Sequence, residues 1–110
     1  MRLPEEGMLL RIFIGENDKY KDNPLYEQIV LKAKELNLAG STVIRGIMGF
    51  GADSHMHTAK VLRLSEDLPI VIEIVDREEN LGKIIPFLDD SVTEGLITME
   101  RVRIVKYRHR

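Results

Sequence analysis

The sequence of 110 residues predicts an α+β fold in which a four-stranded antiparallel sheet carries two helices on one of its faces. Short runs rich in Ile, Val and Phe, which favour β-strands, alternate with two segments whose apolar residues recur at helical spacing. The polar segment 50–66 between the second and third strands is too long for a tight hairpin. The resulting order, βαββαβ, is that of the ferredoxin-like architecture.

The first half of the chain predicts a strand, a polar loop and a helix. Residues 8–14 are apolar, β-branched and aromatic, and form the expected first strand. After the polar loop 15–22, Asn23 and Pro24 resemble an N-cap and the first helical residue. An apolar stripe predicts the helix, and Gly40 is placed to end it in a left-handed conformation. The stripe consists of Leu25, Ile29, Ala33 and Leu36.

The second half predicts two further strands, a helix and a last strand. The two strands span about 41–49 and 68–75, and Asp76 with Glu79 resembles a capping box. The next apolar stripe predicts a helix with a kink, because Pro86 removes one backbone hydrogen bond. Gly95 marks the following turn, and the final strand is expected over 96–107. The stripe consists of Leu81, Ile84, Ile85, Leu88 and Val92.

The composition predicts a single cytoplasmic domain over 1–110. The net charge of −2 gives no general attraction to nucleic acid or to membranes. The sequence contains no cysteine, which excludes disulfides, thiolate metal sites and thiol nucleophiles. No apolar run is long enough to span a bilayer, and the first six residues are too acidic for a signal peptide.

The face of the sheet that the helices leave uncovered is expected to lie between subunits. In the third strand, Ile70, Ile72 and Ile74 alternate with Val71, Glu73 and Val75, so both faces are largely apolar. An exposed face of this kind is an aggregation hazard, which predicts an oligomer. Recognition of single-stranded RNA needs aromatic side chains on the open face, and this strand has none. We therefore expect no nucleic-acid partner.

Basic residues are concentrated near the C-terminus, while acidic residues lie mostly before it. One interpretation is a basic tail that balances an acidic body, and the other is an anion site built from the last strand. The basic residues are Arg101, Arg103, Lys106, Arg108, His109 and Arg110.

Three segments resemble PII-type signalling proteins at matching positions in the βαββαβ order. Residues 48–51 (Met-Gly-Phe-Gly) resemble the exit into that family's long T-loop. Residues 69–75, with their Ile-Glu-Ile-Val core, are similar to its third strand. Residues 94–104 resemble its B-loop turn and the basic strand that follows. The likeness extends over about 9–105.

Shorter motifs narrow the resemblance to an uncharacterised PII-like family, known as a domain of unknown function. Such proteins are homotrimers whose sheets form the trimer core and whose adenine nucleotides lie in clefts between subunits. The resemblance therefore implies a cytoplasmic homotrimer that binds an adenine nucleotide and signals through the T-loop-like segment 50–66. The motifs lie at 10–16, 24–26, 38–40, 45–46, 57–59 and 64–69.

The resemblance also suggests which residues contact the nucleotide. Two glycines, Gly49 and Gly51, suit bends whose N–H groups approach phosphate, and Arg103 matches a phosphate-contacting arginine. Glu73 matches a glutamate beside the nucleotide, and should meet an arginine, a ligand donor or water, because a buried carboxylate is costly unless paired. The alternatives are arginines and a glutamate that only face solvent. The candidate nucleotide-binding residues are Gly49, Phe50, Gly51, His57, Glu73, Gly95, Arg101 and Arg103.

The sequence departs from the PII pattern at the phosphate-binding positions. Segment 91–97 has one glycine, and Leu96 stands where the family's phosphate-binding lysine falls. Val105 replaces the second C-terminal arginine, and the loop after Gly51 lacks the tyrosine that some bacterial members modify. We therefore expect ADP or AMP in preference to ATP with magnesium, and no control by uridylylation.

The alternative interpretation is a trimeric, metal-responsive protein of the CutA type. His55, Met56 and His57 place two imidazoles and a thioether close together, and these ligands suit copper, nickel or zinc. The sequence offers no evident third ligand, so we predict no firm metal site. A scaffold that binds no ligand is a further alternative.

Catalysis has little support in the sequence. It contains no recognisable Ser-His-Asp set or P-loop, and only His55, His57 and His109 could act as imidazole bases. We therefore expect a regulatory protein and not an enzyme. Members of the resembled family often occur beside CrcB-type fluoride channels, so a membrane transporter or channel is the expected partner.

Overall fold

The computed structural model describes residues 6–51 and 67–108. Its main sheet has four strands, and every neighbouring pair is antiparallel. The predicted α+β fold class is therefore confirmed. In chain order the strands are β1 (Glu6–Gly15), β2 (Lys19–Tyr20), β3 (Asn23–Pro24), β4 (Thr42–Arg45), β5 (Pro69–Asp76) and β6 (Leu96–Arg103). The main sheet has the order β4-β5-β1-β6, and β2 pairs with β3 in a separate hairpin.

The helices cover one face of this sheet, as the two apolar stripes predict. They are α1 (Leu25–Glu35), α2 (Glu78–Leu81) and α3 (Ile85–Ser91). Alternate residues of β1 and β5 point into the core, where they meet the helix stripes. The resulting cluster is Leu10, Ile12, Ile14, Leu25, Ile29, Ala33, Ile70, Ile72, Ile74, Leu81, Ile84 and Leu88.

Helix α1 begins one residue later than the sequence predicts. Pro24 is its N-cap, with an extended backbone at φ −55° and ψ 125°, and Leu25 is the first helical residue. Asn23 does not cap the helix, because it pairs with Tyr20 in a short hairpin and its Nδ2 donates to the Lys21 carbonyl. The expected N-cap at Asn23 with Pro24 inside the helix is therefore wrong.

The end of α1 uses asparagine and not glycine. Asn37 has the left-handed φ of 58°, whereas Gly40 does not have a positive φ. The Asn37 N–H donates to the Lys34 carbonyl at 3.0 Å, and the Leu38 N–H donates to the Ala33 carbonyl at 3.0 Å. These two bonds form a Schellman motif, and Asn tolerates the left-handed conformation that the motif requires. The predicted termination at Gly40 is wrong by three residues.

The second helical region is broken into two helices, which is more than the kink that Pro86 predicts. Helix α2 ends at Leu81, α3 starts at Ile85, and Pro86 lies in the first turn of α3, where its missing N–H costs no helical bond. The capping box is not formed either, since Arg77 is the N-cap of α2 and no side chain caps it. Asp76 is instead fully buried at the end of β5.

Two strands are shorter than predicted. β4 stops at Arg45, and the Gly46 N–H then donates to the Pro69 carbonyl at 2.7 Å. β6 stops at Arg103, after which 104–108 leave the sheet. Within the described residues, no helix combines the length and apolar character needed to cross a membrane.

Candidate functional site

An open cleft lies at the end of the sheet where β5 ends and β1 and β4 begin. Its volume is about 660 Å³. The connection 39–42 forms one part of its wall, and the C-terminal residues 102–107 form another. Its apolar lining includes Leu9, Val75, Val102 and Ile104, and its polar lining includes Thr42, Glu73, Arg103, Lys106 and Tyr107. The cleft therefore combines apolar surface with groups of both charges.

Glu73 lies where this cleft meets the open face of the sheet. Its Oε2 accepts a hydrogen bond from Nε of Arg11 at 2.9 Å, so the carboxylate pairs with an arginine as the sequence predicts. Nη1 of Arg11 also donates to Oε1 of Glu100 at 2.8 Å. The hydrogen bond to Glu73, with the negative charges of Glu100 and Glu73, raises the pKa of Arg11 above its usual value. One guanidinium thus joins three strands.

Arg11 is a functional candidate that the sequence analysis missed. The sequence feature that could have identified it is a charged residue inside the apolar run 8–14. Glu73 interrupts the apolar run of β5 in the same way. The strand register places Arg11 directly opposite Glu73. The sequence alone does not predict this pair, because the two residues lie 62 positions apart in the chain and only the register brings them together.

The open face around this ion-pair network is mostly apolar. In β1 and β5 it presents Leu9, Phe13, Val71 and Val75, all partly exposed in the single chain. The edge strands extend this surface with Ile44, 46% exposed, and Leu96, 57% exposed. This is the face that the sequence analysis assigns to a subunit interface.

The two candidate arginines of β6 share a face, but it is the face opposite Glu73. Arg101 pairs with Met8 and Arg103 pairs with Glu6, whereas the open-face residue Arg11 pairs with Thr98. Arg103 nevertheless lines the cleft, because it is the last residue of β6. Lys106, one of the basic residues that suggested an anion site, lines the same cleft, although it was not among the candidate nucleotide-binding residues.

Among the described residues, the other candidates, Gly49, Phe50, Gly51 and Gly95, lie at the far end of the sheet. A Cβ on Gly49 would lie 3.0 Å from the Pro69 ring, and one on Gly95 would lie 2.5 Å from the Phe13 carbonyl oxygen. Pro69 lies four residues from Glu73 and six from Val75 along β5, so about 13 to 20 Å of strand separates this end from the cleft lining. A single chain therefore does not bring Gly49, Phe50, Gly51 and Gly95 together with Glu73 and Arg103.

The glycines at that end differ in their φ values and in the space available for a side chain. Gly95 has φ of +153°, and its contact with the Phe13 backbone leaves no space for a side chain. Gly49 and Gly51 do not have positive φ values, and a Cβ on Gly51 would meet open space. The ring of Phe50 between them is 78% exposed. Among these three glycines, only Gly95 combines a positive φ with a close backbone contact.

The connection that forms the cleft wall is held from both sides. Buried Asp76 accepts hydrogen bonds from the Ala39 N–H at 2.9 Å, the Arg77 N–H at 2.7 Å and the Asn80 amide at 2.9 Å. The Ala39 carbonyl accepts a hydrogen bond of 3.0 Å from the Tyr107 hydroxyl. The wall at Ala39 therefore links the protein interior to the C-terminal residues.

The weak metal-ligand candidates of the CutA-like alternative belong to the segment that follows Gly51. His55, Met56 and His57 lie outside the described residues, as does most of the T-loop-like segment 50–66. Over 6–51 and 67–108, no group of three His, Asp or Glu side chains is arranged to hold a metal ion.

Comparisons with known proteins identify relatives over almost the whole chain. Residues 7–104 match the DUF190 family, described as an uncharacterized ACR. A UPF0166 protein of Aquifex aeolicus is 39% identical over 99 residues, covering 88% of this chain and 91% of that protein. A UPF0166 protein of Methanocaldococcus jannaschii is 33% identical over 102 residues, covering 92% and 94% respectively.

Solved structures with the same fold include CPII, a nitrogen regulatory PII-like protein of Thiomonas intermedia K12. Its structure bound to ADP and bicarbonate superposes with a TM-score of 0.65 at 15% identity, covering 92% of this chain and 90% of CPII. Its structure with ADP, AMP and acetate gives a TM-score of 0.64 at 16% identity over the same shares. The chain thus belongs to the DUF190 (UPF0166) family and has the fold of PII-like signalling proteins.

Proposed function

We propose that this protein is a PII-like regulator that binds an adenine nucleotide, ADP or AMP, in clefts between the subunits of a homotrimer. Binding changes the conformation of the T-loop-like segment 50–66 and thereby the affinity for a regulated partner, for which we propose a membrane transporter or channel. No catalytic step is part of this proposal.

The composition of the cleft is the observation that carries the proposal. Leu9, Val75 and Val102 supply apolar surface on which a flat purine can pack. Arg103 and Lys106 supply the cations that a phosphate requires. Glu73 supplies an acceptor for the amino or hydroxyl groups of a nucleoside. An adenine nucleotide carries all three chemical features.

The distribution of the candidate residues supports a site shared between subunits. Gly49, Gly51 and Gly95 lie at one end of the sheet, and Arg103 lies at the other, about 25 Å from Gly95 along β6. Only a second copy can bring the two sets together. The apolar open face offers the surface through which copies would associate.

The fold likeness is consistent with this proposal, because the matched CPII structures hold ADP and AMP. A diphosphate or monophosphate is favoured over a triphosphate, since Leu96 and Val105 stand at two positions where PII-type proteins carry phosphate-binding cations. Lys106, next to Val105, lines the cleft and supplies one cation in that region.

Calorimetric titration with ADP, AMP, ATP and cyclic AMP tests the proposal. We expect saturable binding of ADP or AMP at one site per subunit, and stabilisation of about 2.7 kcal/mol at a ligand concentration of 100 times Kd. The variant Arg103→Gln should weaken binding about tenfold. Lys83→Gln, which makes the same charge change at an exposed residue between α2 and α3, should leave Kd unchanged.

Two results would contradict the proposal. Absence of heat and of thermal stabilisation with all four nucleotides would exclude adenine-nucleotide binding. Stabilisation by copper or zinc alone, lost in a His55→Ala/His57→Ala variant, would favour the CutA-like alternative.

A further inference from the structure

Arg11 forms ion pairs with two carboxylates, of which one lines the cleft and the other does not. Its Nε donates to Glu73 at 2.9 Å and its Nη1 donates to Glu100 at 2.8 Å. Glu73 lines the cleft, and Thr42, its register partner on β4, lines it as well. Glu100 lies on β6 opposite Leu9 and is not part of the cleft wall. Arg11 itself does not line the cleft.

Only one of the two carboxylate oxygens of Glu73 accepts a hydrogen bond from the described residues. Arg11 binds Oε2, and within residues 6–51 and 67–108 no group donates a hydrogen bond to Oε1. The side chain is 32% exposed, so this oxygen is not sealed in the interior. A glutamate has three side-chain torsions, and the hydrogen bond from Arg11 Nε to Oε2 restricts them.

We infer that Arg11 is a positioning residue that holds the Glu73 carboxylate at the cleft wall, where it accepts a hydrogen bond from the nucleoside part of the bound nucleotide. This inference rests on the proposed function. An ionised carboxylate only accepts hydrogen bonds, so it selects the 6-amino group or a ribose hydroxyl and repels phosphate. The phosphate end then lies toward Arg103 and Lys106, which makes the ligand bind in one orientation.

A comparison of Arg11→Gln with Glu100→Gln tests whether Arg11 positions Glu73 for ligand binding or only stabilises the sheet. Arg11→Gln releases Glu73, so Kd for ADP should rise about tenfold. Glu100→Gln removes the other ion pair of the same guanidinium and should change Kd by less than about twofold. A merely structural role would lower the thermal unfolding midpoint in both variants and leave Kd unchanged in both.

A double-mutant cycle with Glu73→Gln supplies a second readout. If Arg11 acts through Glu73, adding Arg11→Gln to Glu73→Gln should cause no further loss of ADP affinity. Additive losses would overturn the inference. Should Arg11→Gln not fold, Arg11→Lys keeps the charge but loses the planar fork, and its Kd should lie between those of wild type and Glu73→Gln.

The outcomes also distinguish this inference from the function on which it rests. Wild-type protein that binds no adenine nucleotide contradicts the proposed function and removes the inference with it. Wild-type protein that binds ADP with the same Kd as Arg11→Gln contradicts only the inference.

Discussion

The Tyr107 hydroxyl donates a hydrogen bond of 3.0 Å to the carbonyl oxygen of Ala39, which ties the C-terminal residues to the connection between α1 and β4. Both residues line the cleft, so this bond joins two parts of its wall. The N–H of Ala39 is bound in turn by buried Asp76. The cleft wall is therefore anchored to the core on one side and to the end of the chain on the other.

Tyr107→Phe should loosen the C-terminal residues without unfolding the domain. The variant keeps the ring but removes the donor to Ala39, so the peptide bond after Lys106 should be cut faster by trypsin. The global stability should fall by no more than about 1 kcal/mol, because the bond is exposed.

Tyr20→Phe is the matched control, since Tyr20 also donates one exposed hydroxyl hydrogen bond, to Asp90 at 3.0 Å. It should leave cleavage after Lys106 at the wild-type rate. Equal cleavage rates in wild type and Tyr107→Phe would show that the Ala39 contact does not restrain the C-terminal residues.

Gly95→Ala should destabilise the protein by about 2–4 kcal/mol. The new Cβ would lie 2.5 Å from the Phe13 carbonyl oxygen, and φ of +153° is strained for any residue with a side chain. Urea unfolding followed by circular dichroism measures the change. Gly40→Ala is the control, because a Cβ there meets nothing within 4 Å, and a similar loss in both variants would refute the steric explanation.

Asp76→Ala should cost about 3 kcal/mol or more, because it leaves the donors of Ala39, Arg77 and Asn80 without their acceptor. Amide hydrogen exchange should show the loss first at Ala39, and urea unfolding gives its total. Asp89→Ala changes an exposed carboxylate on α3 and should shift stability by less than about 0.5 kcal/mol.

Val71→Lys should dissociate the proposed oligomer while the domain stays folded. Val71 lies on the open face between Phe13 and Ile44, whereas its neighbours Ile70 and Ile72 lie in the core. A charge at the centre of a buried interface is costly to desolvate. Light scattering should therefore report a smaller particle with an unchanged circular dichroism spectrum.

Leu31→Lys provides the comparison for this variant. Leu31 is 58% exposed on α1, which lies on the opposite side of the sheet. Its substitution should leave the particle mass unchanged. A Val71→Lys protein with the wild-type mass would place the subunit interface elsewhere.

The local errors of the sequence analysis share a physical cause. Gly40 is the better intrinsic left-handed residue, yet the helix ends at Asn37, because that end forms the two Schellman bonds and keeps Leu38 against the core. Asp76 with Glu79 has the spacing of a capping box, yet burial directs Asp76 to Ala39 and Asn80. In both cases, packing against the interior accompanies the observed arrangement and outweighs a local preference of about 1 kcal/mol.

The sequence alone determined the βαββαβ order, the core stripes and the apolar open face, because side-chain periodicity decides which residues face the interior. It also indicated that Glu73 needs a partner. Only the tertiary structure decided that this partner is Arg11, that Arg103 and Lys106 share a cleft with Glu73, and that the glycine candidates lie at the other end of the sheet. Strand register determines which of these residues lie together, and register depends on pairing between residues far apart in the chain.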